Sequence, residues 1–129
     1  MKVKTTIALV LQALWELLRY DVMLKAGGFQ GVHRSLGRFR PARRHSSCAP
    51  EAAIAAAMKD ALCLYWKRAL CLQRSVAAAR LFRRYGFAAE LVIGYRPEPF
   101  MTHAWVEIDG RVINDTPVYQ QHFHTLERV

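Results

Sequence analysis

Apolar residues in the first part of the chain recur at helical intervals. Leu11, Leu14, Leu18 and Val22 follow one another at steps of three and four, which predicts a helix over residues 4–25, with Gly27-Gly28 ending it. Residues 27–49 lose the period and hold four Gly, Pro41, several Ser and a cluster of arginines, so they read as a loop or hinge. Pro50 then opens a second helix, because proline is accommodated in a first turn, and Glu51 complements the positive end of the helix dipole. The alanine-rich residues 52–69 continue it through Ile54, Met58, Ala61, Leu62 and Tyr65. A break near Ala69-Leu70 would put Cys71 at the head of a third helix, Leu72 to Tyr85, with Gly86 as its C-cap. Residues 51–85 contain neither Pro nor Gly, so the sequence does not compel that break.

After Gly86 the period shortens to that of strands. Ala88 to Tyr95 is a short, mostly apolar strand, and Arg96-Pro97-Glu98-Pro99 is a turn. Phe100 to Glu107 and Arg111 to Asp115 form a hairpin across Asp109-Gly110; Pro117 ends the last strand, and a polar tail follows with His122 and His124. Helices first and antiparallel strands afterwards define an α+β class, and 129 residues suit a single domain. Within it, residues 1–44 form a basic helical N-terminal region and residues 45–129 the core that carries the chemistry.

Charge sharpens that division. The net charge is +9, and residues 1–44 hold nine Lys and Arg against Glu16 and Asp21 alone. Arg34, Arg38, Arg40, Arg43 and Arg44 crowd one short stretch, which attracts an acidic peptide or an anionic surface, or is simply a solvated linker. Only Phe39 is interleaved with them, and no nucleic-acid reader motif is present, so nucleic acid is not an expected partner. Lys2 and Lys4 before the apolar run Ile7–Trp15 imitate a signal peptide, but Gln12, Glu16 and Arg19 interrupt the run, and it is too short to span a bilayer. The expectation is an amphipathic helix packed on the domain, on a partner, or grazing a membrane surface. Three cysteines without regular spacing argue against a disulfide framework and for a reducing, cytoplasmic setting.

The candidate chemistry lies in Cys71, His103 and Asp115, in that order. A cysteine attacks as its thiolate, and both a helix N-terminus and a neighbouring imidazole lower the thiol pKa. His103, in the strand T-H-A-W-V-E, would accept the thiol proton and return it to a leaving amine. Asp115 would hold the imidazole tautomer and orientation. The N–H groups at the start of the third helix would face a developing oxyanion, with Trp66 or Gln73 as side-chain donors, and Trp105 would pack beside the histidine. Each residue also has a plainer reading: Cys71 as a small core residue, like Cys63 in an identical A-L-C-L string, His103 as a satisfied core histidine, Asp115 as a strand terminator. His122-x-His124 lacks the paired spacing of a zinc site, so neither metal nor cofactor is expected.

The hairpin register tests the pairing. A two-residue turn at Asp109-Gly110 would pair Ile108 with Arg111 and turn His103 and Asp115 to opposite faces. A three-residue loop with a left-handed Gly110 in a bulge would pair Glu107 with Arg111 and set His103 opposite Asp115, so the triad predicts the bulged loop.

The string C-L-Q-R-S-V-A-A-A-R-L-F-R-R-Y-G-F-A-A-E-L-V-I-G, followed by P-F-M-T-H-A-W-V-E-I-D-G-R-V-I-N-D, resembles the lasso-peptide biosynthesis B proteins, in the transglutaminase-like, papain-related group of cysteine peptidases. The resemblance runs from about Leu70 to Asp115 and sets the family's catalytic cysteine, histidine and aspartate on Cys71, His103 and Asp115. It implies a peptidase that removes the leader from a ribosomally made precursor peptide, so that a partner cyclase can close the macrolactam. The shortness of the chain resembles the stand-alone peptidase half, which works with a separate leader-recognition protein. Residues 1–44 would then dock that partner or an acidic leader. Two other functions remain open: an acyltransferase that resolves the thioester with an amine, and a non-catalytic basic adaptor that binds a peptide.

Overall fold

The computed structural model describes residues 2–43, 49–115 and 118–129, with side chains from Ile7 onward. Arg44, Cys48, Pro117 and the boundary between the two expected regions lie outside the described residues. The element order is α1 (Lys2–Arg38), α2 (Glu51–Leu64), α3 (Cys71–Arg84), β1 (Ala89–Pro97), β2 (Phe100–Ile108), β3 (Arg111–Val112), α4 (Val118–His122) and β4 (His124–Arg128). The strands form one antiparallel sheet in the order β3-β2-β1-β4, so the expected α+β class holds.

The first helix is longer than the periodicity predicts. Gly28 adopts φ 65° and kinks α1, but the helix then resumes to Arg38 because Val32 and Leu36 again supply inward apolar positions, both buried. Conversely, α2 stops at Leu64, short of residue 69, and 65–70 form an irregular connection. The third helix does start at Cys71, and Gly86 at φ 91° lets the chain turn off its end, where Phe87 N–H bonds Phe82 C=O and the two rings meet edge to face.

The third helix packs on one face of the sheet, and α1 and α2 pack on it. Leu9, Leu17, Ile54, Leu81, Leu91 and Val106, each 2% exposed or less, belong to one continuous core. Polar side chains lock its helices together. Glu16 of α1 is 1% exposed and receives Arg80 Nε at 2.6 Å and Arg84 Nη2 at 2.7 Å. At the far end of α3, Arg83 donates to the carbonyls of Ala89, Leu36, Phe39 and Val129 and so ties α1, β1 and the chain end together. Burial pushes the pKa of both Arg80 and Arg83 below the usual guanidinium value.

Two expectations about the strands are corrected. The hairpin turn holds two residues, Asp109 at φ 51° and Gly110 at φ 77°, and pairs Ile108 with Arg111 and Glu107 with Val112. Positive φ at both central positions makes a type I′ turn, whose twist matches the flanking strands, so no bulge forms. The ladder strand β3 is also only two residues long, not five. The tail, expected to be merely polar, carries α4 and β4, and β4 adds to the free edge of β1. His124–Arg128 is exposed throughout and has no alternating apolar pattern, so its pairing rests on backbone hydrogen bonds, on Arg128 reaching Glu107 at 3.0 Å, on Glu127 meeting His33 and on the His124 ring against Tyr95.

Removing the Glu16 carboxylate leaves two guanidinium groups without their counter-charge. The Glu16→Ala variant is expected to lose about 3–5 kcal/mol of unfolding free energy in urea denaturation at neutral pH. A loss under about 1 kcal/mol would show that the α1–α3 seam does not depend on this carboxylate.

Candidate active site

The connection 65–70 ends where α1 pulls on it. Asp21, near the middle of α1, accepts hydrogen bonds from Tyr65 Oη, from Lys67 Nζ at 2.7 Å and from Gln73 Nε2 at 3.0 Å. Gln73 Nε2 also donates to Leu17 C=O at 3.0 Å. Tyr65 and Lys67 therefore leave the α2 axis, Gln73 fixes the first turn of α3, and Cys71 becomes the first residue of that helix. Burial pushes the Asp21 carboxyl up, but the hydrogen bonds from Lys67, Tyr65 and Gln73 outweigh it and hold the pKa below the usual carboxylate value. The pKa of Tyr20 beside it is raised by burial, then by Asp21 and Cys71.

Along β2 the side chains alternate. Ala104, Val106 and Ile108 enter the helix-covered core; Trp105 enters a second cluster with Val92 and Phe123 on the other face. His103, 9% exposed, shares that second face. Tyr119 of α4 stacks on its ring at 3.8 Å between centroids and 23° between planes, and Trp105 lies parallel at 6.3 Å, packing beside the histidine as expected. Across the ladder His103 faces Gly94, where a Cβ would come within 2.6 Å of the Trp105 ring. Glycine there makes room for the indole.

His103 Nε2 and Asp115 Oδ2 are 2.7 Å apart, although the register that was expected to join them is not the one adopted. The pairing arises because β3 ends early. Ile113 N–H still bonds Val106 C=O, but the next acceptor is a side chain: Val106 N–H donates to Asn114 Oδ1 at 2.8 Å. Asn114 Nδ2 in turn donates to Ser75 Oγ at 3.0 Å, and Ser75 Oγ–H donates to Ala104 C=O at 3.1 Å. Side chains thus occupy the β2 edge where a longer β3 would have run. The backbone bends off the ladder, and the alternation of faces no longer governs Asp115, which meets His103 and also Arg74 Nη2 at 3.5 Å.

These contacts bring α3 to the pair. Arg74 touches Asp115, and Ser75 caps the carbonyl next to His103; they lie three and four positions after Cys71, on the same side of the helix. Cys71 is half-buried, whereas Cys63 of the identical A-L-C-L string is exposed. The hydrogen-bonded pair is His103–Asp115. With Nε2 donating to a carboxylate, Nδ1 is the basic ring nitrogen. Of the two side-chain oxyanion donors expected, Gln73 has both amide hydrogens engaged by Leu17 and Asp21, and Trp66 is 76% exposed. Sequence reasoning missed Asn114, Ser75, Arg74, Asp21 and Tyr119; the adjacent Asn114-Asp115 pair was the one visible hint, a polar doublet where a strand should end.

Helices followed by an antiparallel sheet, with a hydrogen-bonded histidine–aspartate pair at the sheet's edge and a cysteine heading α3, fit a transglutaminase-like domain. The sequence profile of the Transglutaminase-like superfamily matches residues 14–128, and the chain belongs to that family. It is similar to the microcin J25-processing protein McjB of Escherichia coli, with 49% identity over 47 residues, which is 36% of this chain and 23% of that relative. The match therefore spans less than a quarter of the relative's length, and it agrees with the resemblance to lasso-peptide biosynthesis B proteins. No solved structure matches significantly.

Asn114→Ala removes the acceptor for Val106 N–H and a donor to Ser75, so it is expected to lower stability by about 1–3 kcal/mol in chemical denaturation. Asp21 gives a pH signature. Its folded pKa is depressed, so its contribution is present above the ordinary carboxylate range near about 4 and is lost as pH falls through the lower folded value. Asp21→Asn should be less stable than the parent at pH 7, and the gap should close in acid; a gap independent of pH would contradict the charge-assisted bonds.

Proposed function

We propose that the chain is a cysteine peptidase that removes the leader from a ribosomally synthesised lasso precursor peptide, with Cys71 as nucleophile, His103 as general acid and base, and Asp115 as the group that orients the imidazole. The observation that carries this reading is the 2.7 Å His103–Asp115 hydrogen bond beside the helix that Cys71 heads. Membership of a superfamily that includes cysteine peptidases, and similarity to a protein named for processing microcin J25, support it.

Cys71 gives its proton to His103 Nδ1, and the thiolate attacks the carbonyl carbon at the leader–core junction. The negative charge that develops on oxygen faces the backbone N–H groups of the first turn of α3, each such donor contributing about 3 kcal/mol. Collapse breaks the C–N bond, and imidazolium His103 protonates the departing core amine. The leader remains as a thioester on Cys71. His103 then takes a proton from water as that water attacks the thioester, and the leader leaves with a free carboxylate as the thiol is regenerated. Asp115 stabilises the imidazolium in both halves.

In this reading the liberated amine passes to a partner cyclase, a leader-recognition protein presents the precursor, and the reaction takes place in the cytoplasm. Residues 45–129 would carry the chemistry, and the basic residues 1–44 would dock the leader or that partner.

Incubation with precursor and leader-recognition protein, read by mass spectrometry, tests the assignment. Cys71→Ala and His103→Ala should each lose at least about 1,000-fold in rate, and Asp115→Asn about 100- to 10,000-fold. Cys63→Ala should keep the parent rate. Cleavage that survives Cys71→Ala would sink the proposal. A product carrying an added amine in place of water would mark an acyltransferase.

A further inference from the structure

The first helix of this fold is apolar on two sides, one of them the buried face of Leu9, Ala13, Leu17 and Tyr20. Its polar residues Gln12, Glu16 and Asp21 face the domain, where they meet Tyr85, Arg80 with Arg84, and Lys67 with Tyr65. Its outward face is apolar: Ile7, Leu11, Trp15, Leu18 and Val22 are each between 43% and 61% exposed. At about 100° per residue these five fall within an arc of about 80°, and they run about 22 Å along the helix. A solvated helix shows the opposite arrangement, and an exposed apolar stripe of this extent marks an interaction surface.

Charge selects the partner. The acids among the described residues of α1 are Glu16, buried under two arginines, and Asp21, paired with Lys67, so the outer surface of the helix offers no free carboxylate. Lys25 closes the stripe, and Arg34, Arg38, Arg40 and Arg43 follow it, all exposed. Asp60 lines the shallow groove between α1 and α2 beside Ile7 and Leu11. No helix among the described residues is long and apolar enough to cross a membrane. An apolar ridge on one helix, with a tryptophan at its centre, on a chain of net charge +9, matches the physics of helices that lie in a lipid interface.

We propose that the outer face of α1 seats the protein on an anionic membrane surface, with Ile7, Leu11, Trp15, Leu18 and Val22 entering the headgroup–acyl boundary and the net charge of +9 drawing the chain to lipid phosphates. This surface is separate from the His103–Asp115 site and does not depend on the peptidase reading.

Sedimentation of the full chain with phosphatidylcholine vesicles, and with vesicles that also contain phosphatidylglycerol, tests it. The parent should bind the mixed vesicles at low salt, at least about tenfold more weakly to phosphatidylcholine alone, and more weakly in high salt. The Leu11→Gln/Leu18→Gln variant, altered only at exposed positions, should keep its circular dichroism and melting temperature and lose at least about tenfold in binding. Three results would overturn the proposal: no binding by the parent, equal binding by the variant, or a parent dimer in light scattering that the variant converts to monomer.

Discussion

The hydrogen bonds that Asp21 accepts from Tyr65, Lys67 and Gln73 decide where α3 begins. An alanine-rich run without Pro or Gly has no local reason to stop being helical, and the cost of breaking it must be met from outside the run. One carboxylate with three donors offsets that cost. It draws residues 65–70 away from α2 and leaves Cys71 at the head of α3 with the helix dipole behind it. The nucleophile candidate owes its position to a residue fifty places earlier in the chain, on a helix that takes no direct part in the chemistry.

The other half of the site depends on side chains standing in for a strand. Asn114 and Ser75 satisfy the backbone groups of Val106 and Ala104 that a longer β3 would have paired, so the chain can leave the sheet without orphaning buried polar atoms. Freed from the ladder, Asp115 reaches His103, and the same two side chains dock α3 on the strand. The aromatic pile of Tyr119, Trp105 and Phe123 closes around the imidazole from the far side and limits how it can turn. Strand end and ring stack therefore converge on the His103–Asp115 pair.

The polar seam has a consequence on the opposite side of α1. Because Glu16 and Asp21 point inward to hold α3, the apolar stripe of the same helix points outward. The hydrophobic period of α1 was legible, but the structure turns Leu9, Ala13 and Leu17 inward with the carboxylates and leaves Leu11, Leu18 and Val22 outside. An amphipathic pattern gives the existence of two faces, and only the partners in the fold say which one is buried.

Local signals were sufficient for much of this chain. Gly86 and the shift of period after it separated helices from strands, Pro50 and Glu51 marked the start of α2, and Cys71, His103 and Asp115 stood out by type and order. Signals that act through backbone conformation or periodicity are written within a few residues, so the α+β class could be read directly. Tertiary structure decided what depended on distant partners: the end of α2 at Leu64, the resumption of α1 after Gly28, the polar strand β4, and the route of Asp115. The hairpin shows the difference most clearly. Register arguments assume that a strand continues, and β3 does not, because side chains from α3 and from Asn114 compete successfully for the edge of β2. Hydrogen bonds between residues about thirty to fifty positions apart leave no mark on local periodicity, and they are the ones that assemble this site.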